Sequence, residues 1–131
     1  MSPEQRGSIA LTRIGAMVIG VEGHRVTGFY RPGEREIDCD LARLLAVPIP
    51  PGSAARLLEL EHARGRLVIA VHGRVRMAPS DQKHRCERPP LVAGVFRRAC
   101  LRGVMRHESE LVYLLDVDQL AARLAQEEGT P

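Results

Sequence analysis

The sequence predicts a mainly β protein of small-barrel architecture, and three observations carry that prediction. Short apolar runs recur about every ten residues between turns rich in Gly, Pro and charge, which is the rhythm of barrel or sandwich strands. Only two short segments, both near the ends of apolar runs, carry helical spacing behind an aspartate able to cap them. No stretch alternates a strand with a long helix, so a doubly wound α/β sheet is disfavoured.

Taken in order, residues 1–15 read as an N-terminal extension, 16–126 as the domain and 127–131 as a tail. Met17, Val18, Ile19 and Val21 precede a Glu22-Gly23 break, and Val26, Phe29 and Tyr30 follow it, which predicts a first hairpin. The turn Arg31-Pro32-Gly33 leads into a third strand from Glu34 to Cys39. Asp38 or Asp40 then caps a short helix, Leu41 to Ala46, which Pro48 and the Pro50-Pro51-Gly52 cluster end.

Arg56 to Glu61 and Arg66 to His72 flank His62-Ala63-Arg64-Gly65, the pattern of a second hairpin. Val75 and Met77 extend it as a further strand, before a polar loop from Ser80 to Pro90. Cys100 to Met105 and Leu111 to Leu115 form a third hairpin across Arg106 to Glu110, with Leu101, Val104, Leu111, Tyr113 and Leu115 expected to face inward. Asp116 and Asp118 are candidate caps for a C-terminal helix, Leu120 to Gln126, whose Leu120 and Leu124 pack beside that hairpin.

At 131 residues the chain makes one domain, and 44% apolar with 27% charged residues suits a globular protein. No apolar run approaches the roughly 18 residues of a membrane span and the N-terminus lacks signal-peptide grammar, so a cytoplasmic protein without membrane insertion is expected. Three cysteines, Cys39, Cys86 and Cys100, are too few and too widely spaced for a disulfide scaffold, which fits reduced thiols. The net charge of +3 raises a basic small-barrel nucleic-acid binder as the alternative function. It is not favoured, because 16 acids interleave with the basic residues and only two Phe and two Tyr are available for base stacking.

Asp38 with Asp40, and Asp116 with Asp118, have the spacing of paired carboxylates for acid–base chemistry, yet both stand where a strand hands over to a helix and free N–H groups favour aspartate. An enzyme built on either pair lacks a third catalytic partner. His84-Arg85-Cys86, with His72 and Cys100 elsewhere, lacks the close-spaced ligand pairs of a zinc site. Glycine-rich phosphate cradles are absent, and the five histidines fall mostly at turns. Arg97, Arg98, Arg102 and Arg106 concentrate positive charge on one segment, read as a solvated strand face. The expectation is therefore no catalytic residue, no metal and no cofactor.

Cys39-Asp40-Leu41 running into Ala42-Arg43-Leu44-Leu45, the hairpin from Leu57 to Val71, and Leu101-Arg102-Gly103-Val104-Met105 running to Leu114-Leu115-Asp116-Val117-Asp118-Gln119-Leu120 together resemble a CheW-like domain, from about residue 16 to 125. That family comprises chemosensory coupling adaptors. The resemblance implies a pair of small β-barrels around a shared core, with two short helices and a groove between the barrels where receptors dock. It implies an abbreviated first barrel, because Tyr30 runs straight into Arg31-Pro32-Gly33 where a typical member carries a further helix and strand. Pro32 stands in place of the family's Arg, and His72 in place of an Asp.

On this resemblance the chain is a non-catalytic adaptor whose partners are the cytoplasmic tip of a chemoreceptor and, further, a CheA-type histidine kinase or another CheW-like protein. The residues it assigns to partner contact are Arg31, Pro32, Gly33, Leu58, Val71, His72 and Arg102. Receptor binding is expected to outlast kinase binding, since a shortened first barrel leaves the middle and closing hairpins as one complete face.

Overall fold

Gly15 decides how the N-terminal half of the chain is arranged. Ser8–Ile14 (β1) and Met17–Glu22 (β2) pair antiparallel around Gly15-Ala16, with Ile14 opposite Met17. Gly15, at φ 61°, occupies the first central position, where a type II′ hairpin turn takes glycine to match the strand twist. Residues 8–14 are thus a strand rather than an extension, with Ile9, Ala10, Leu11 and Ile14 all buried. The computed structural model describes residues 7–49, 51–79, 85–86 and 100–128.

The expected hairpin between residues 17–22 and 26–30 does not form. Gly23–Arg25 is a 3-10 turn that carries the chain out of one sheet and into another, where Val26–Tyr30 (β3) begins. Cys39–Asp40 (β4) is all that remains of the third strand expected from Glu34, and it leads into a single helical turn, Leu41–Leu44 (α1). Ala55–His62 (β5) and Gly65–His72 (β6) form the predicted middle hairpin, closed by two residues where four were expected, because His62 already pairs with Gly65.

Val75–Pro79 (β7) follows, then the two-residue strand Arg85–Cys86 (β8). Leu101–His107 (β9) and Glu110–Leu115 (β10) make the closing hairpin. Its turn is Glu108-Ser109, both at positive φ (47° and 70°), the dihedral signature of a type I′ turn. The final helix, Val117–Glu128 (α2), is longer than the expected 120–126.

Two open sheets result. The larger runs β7-β1-β2-β10-β9-β8 and the smaller β3-β5-β6-β4. Among the described residues neither closes into a barrel, and their edges are short strands such as the two-residue β4. Within the larger sheet the N-terminal hairpin joins the closing hairpin through the parallel pair β2–β10, Val18 opposite Val112. The middle and closing hairpins therefore lie in different sheets and do not form one face, and the eight-residue connection 31–38 belongs to the sheet of the middle hairpin.

A common core lies where the sheets pack, built from Ile14, Ile19, Leu58, Leu60, Ile69 and Leu115 among others. The larger sheet also buries its second face, through Leu11, Val18, Met105, Val112 and Leu114. That corrects the expected alternation of the closing hairpin: Leu101 and Leu115 join the common core with Val104 and Tyr113 against it, whereas Leu111 is 47% exposed. Ordinary alternation separates Val112 and Leu114 from Tyr113 and Leu115, while the register shift that leaves Arg102 as the extra residue of β9 turns Leu101 to the common core although Met105 faces the other side. On the smaller sheet, Leu57, Val68 and Ala70 are buried beneath Tyr30, whose ring carries the Arg35 guanidinium at 4.3 Å.

Candidate functional site

The four aspartates of the two close-spaced pairs are committed to structure. Asp40 caps α1, its Oδ1 accepting from the Ala42 N–H at 2.9 Å. Asp38, the other candidate cap, instead accepts from the Val68 N–H at 2.7 Å, pinning the 31–38 connection to β6. Asp116 accepts from the Gln119 N–H at 3.0 Å at the start of α2. Asp118 is inside the helix and receives the Ala63 N–H and the Arg25 guanidinium.

The cysteines in the described core are poor nucleophiles. Burial foremost, with Cys100 and nearby carboxylates adding to it, pushes the Cys39 thiol up to about 11, and burial raises Cys100 as well. Among the described residues no three His, Cys, Asp or Glu side chains are grouped to hold a metal ion. His84, Arg97 and Arg98 lie outside the described residues, as does most of the expected loop from Ser80 to Pro90.

The residues expected to contact partners separate into three environments. Leu58 and Val71 are 1% and 0% exposed in the common core, because strand alternation turns 58 and 60, and 67, 69 and 71, inward; they offer no surface. Arg102, beside the register shift of β9, reaches Glu22 at 2.9 Å and lines neither cleft described below. Arg31 and His72 each line a cleft, and Pro32 and Gly33 follow Arg31 in the exposed connection 31–38.

Pro32 and Gly33 take the two central positions of a turn closed by the Glu34 N–H donating to the Arg31 carbonyl at 3.1 Å. Proline second and glycine third, at φ 92°, match a type II turn, in which the proline position needs no N–H donor. His72 ends β6 with a side chain only 11% exposed, its Nε2 2.9 Å from Asp40 Oδ2, and so ties the strand end to the cap of α1.

Two clefts flank β7. One, about 540 Å³, is lined by Phe29, Tyr30, Arg31 and Arg56 of the smaller sheet's side and by Val75 of β7. The other, about 560 Å³, is lined by Thr12, Arg13 and Val18 of the N-terminal hairpin with His72, Arg74 and Arg76. The two clefts share no lining residue: Ser53, Arg74 and Arg76 line the second and Ala54 and Val75 the first, because successive residues of an extended segment face opposite sides.

Arg13 donates to both carboxylate oxygens of Glu110 at 2.7 Å, whereas exposed Arg31, Arg56, Arg74 and Arg76 make no side-chain ion pair or hydrogen bond among the described residues. Sequence reading did not bring Phe29, Arg56 and Val75 to one cleft, or Arg74 and Arg76 to the other. Arg74-Val75-Arg76 carried a usable signal, since period two sets both arginines on one side of a strand; nothing local links that strand to Arg31 or Arg56.

The mainly β, two-sheet architecture, with its N-terminal hairpin inserted beside the closing hairpin, places the chain in a class of folds rather than a class of chemistry. No protein-family model matches the chain, and no curated protein matches it. Among solved structures it is similar to the crystal structure of the scaffolding protein TtCheW from Thermoanaerobacter tengcongensis, at a TM-score of 0.68 and 14% identity, covering 88% of this chain and 92% of that chain. The fold is CheW-like.

Proposed function

We propose that this chain is a non-catalytic chemosensory adaptor that binds the cytoplasmic tip of a methyl-accepting receptor and serves a CheA-type histidine kinase pathway. The observation that carries the reading is the likeness to a scaffolding protein over 88% of the chain. The commitment of Asp38, Asp40, Asp116 and Asp118 to backbone N–H groups and ion pairs supports it, since an adaptor needs those carboxylates only to hold its shape. The cleft lined by Phe29, Tyr30, Arg31, Arg56 and Val75 is the surface we assign to the receptor, with Pro32 and Gly33 following Arg31 in the chain. No helix among the described residues is long and apolar enough to cross a membrane, so contact with the receptor is proposed at its cytoplasmic end.

Calorimetric titration of the purified chain with a receptor tip and, separately, with the regulatory domain of the kinase tests the reading. Saturable heat with the receptor tip, and weaker or no heat with the kinase domain, is the expected result. Binding to neither would refute the adaptor function. Salt-sensitive retention of duplex DNA in its place would favour a nucleic-acid binder.

A further inference from the structure

We propose that the second cleft, the one lined by Arg74 and Arg76, binds a small organic phosphate. The proposal goes beyond the adaptor reading and does not depend on it. Strand register sets the arrangement. Arg76 stands opposite Leu11 in the β7–β1 pairing, and Val18 stands opposite Arg13 in the β1–β2 pairing. Period two puts Arg13 on the side of Leu11, and Arg74 on the side of Arg76 where the chain enters β7. Arg13, Arg74 and Arg76 therefore line one cleft from one face of the larger sheet.

The charges of these three arginines are not equally answered. Arg13 is neutralised by Glu110, to which it donates twice at 2.7 Å. Arg25, Arg66 and Arg102 elsewhere likewise each face a carboxylate, at 2.8, 3.6 and 2.9 Å. Arg74 and Arg76 face none among the described residues, and none of the described residues lining their cleft is acidic. The cleft on the other side of β7 differs, since Glu34 lines it with Arg31 and Arg56. Like charges set side by side repel, so two unanswered guanidinium groups in one cleft favour a bound anion.

The geometry narrows the class of anion. Arg74 and Arg76 are roughly 7 Å apart along the chain, so both side chains reach a single anionic group between them. One carboxylate is satisfied by the fork of one guanidinium, whereas a phosphate monoester brings roughly two negative charges and three oxygens, enough for both. Leu11 and Val18, 2% and 6% exposed, also line the cleft and give it an apolar floor. At about 560 Å³ the cleft has the size of a small-molecule site, so the phosphate is expected to carry an organic body that covers that floor. His72 lines the cleft too, but its Nε2 is held by Asp40 Oδ2 at 2.9 Å, which leaves the two arginines as the anion-binding groups.

Calorimetric titration of the full chain with phenyl phosphate, inorganic phosphate and benzoate tests the proposal. One variant carries Arg74→Gln with Arg76→Gln, and a control carries Arg31→Gln with Arg56→Gln, which removes the same charge from the other cleft. Phenyl phosphate is expected to bind at least about tenfold more tightly than either benzoate or inorganic phosphate, and to lose at least about tenfold in the Arg74/Arg76 variant but no more than about twofold in the control. No heat with millimolar phenyl phosphate, or equal losses in the two variants, overturns the proposal. A measurement on the wild-type chain alone covers the case of a variant that does not fold. Amide shifts on adding phenyl phosphate should centre on Leu11, Gly73, Arg74 and Arg76, and shifts centred on Arg31 and Arg56 would contradict the assignment. Phosphatidylcholine vesicles with and without phosphatidic acid separate a soluble ligand from a lipid headgroup. Recovery of the chain that is indifferent to phosphatidic acid is expected, and recovery that needs both phosphatidic acid and the two arginines, without binding of phenyl phosphate, would overturn a soluble ligand.

Discussion

The Arg25 guanidinium grips the Asp118 carboxylate with two hydrogen bonds, of 2.8 and 3.3 Å, across most of the chain's length. The same carboxylate accepts from the Ala63 N–H at 2.9 Å. One side chain therefore joins the 3-10 turn where the chain changes sheet, the tip of the β5–β6 hairpin and the first turn of α2. The Ala63 N–H foremost, and then Arg25, hold the Asp118 carboxyl below the usual carboxylate range.

A depressed folded-state pKa gives stability that is present above the unfolded value, about 3.9, and is lost as pH falls through the folded value. Wild-type stability is thus expected to drop more steeply on acidification below about pH 4 than that of Asp118→Asn, which carries no carboxylate to protonate. The side chain is 45% exposed, so the gap at neutral pH should be at most about 1 kcal/mol. Urea midpoints of both proteins between neutral and acid pH check this; parallel curves would contradict it.

Gly20 sits mid-strand in β2, between β1 and β10, and a Cβ there would fall 2.5 Å from Ile9 Cδ1 and 2.7 Å from Val112 Cγ1. Both neighbours are buried, so neither can swing into solvent. Gly20→Val is expected to destabilise by about 1–3 kcal/mol through overpacking. A thermal midpoint equal to wild type would show that this junction is looser than the geometry indicates.

The closing hairpin places Glu108 and Ser109 in left-handed backbone that glycine and asparagine adopt at lower cost. Glu108→Asn with Ser109→Gly is expected to raise stability by about 1 kcal/mol, an effect of backbone preference and not of new contacts. Chemical denaturation checks the sign, and a lowered midpoint would argue against the turn geometry.

Leu58 and Leu115 are both almost fully buried in the common core. Each change to Ala is expected to cost about 2–5 kcal/mol, whereas Leu111→Ala at an exposed position should cost within about 0.5 kcal/mol. Measured per folded molecule, partner affinity of the Leu58→Ala protein should remain that of wild type. A specific loss of binding with stability retained would return Leu58 to the surface role first expected of it.

What was legible in the sequence was local. The β5–β6 hairpin shows an apolar run on each arm with Gly65 closing the turn, and the β9–β10 hairpin shows two apolar runs around charged residues. The inward face of the latter was not legible, because a sheet buried on both faces carries apolar residues at consecutive positions, and Leu111 and Val112 look equivalent until burial separates them. Strand β1 was obscured by Thr12 and Arg13, although Gly15-Ala16 between two apolar arms was a turn signal of the type II′ kind. The pairing of β2 with β10 has no local signature, since the parallel partners are distant in sequence. The cleft inherits that difficulty: Arg31 and Arg56 come beside Val75 only once the two sheets pack.

Co-sedimentation of the purified chain with membrane vesicles bearing a methyl-accepting receptor, beside identical vesicles without it, tests the adaptor function most directly. The account predicts saturable recovery of the chain with receptor-bearing vesicles alone. Equal recovery with both kinds of vesicle, or with neither, would contradict it.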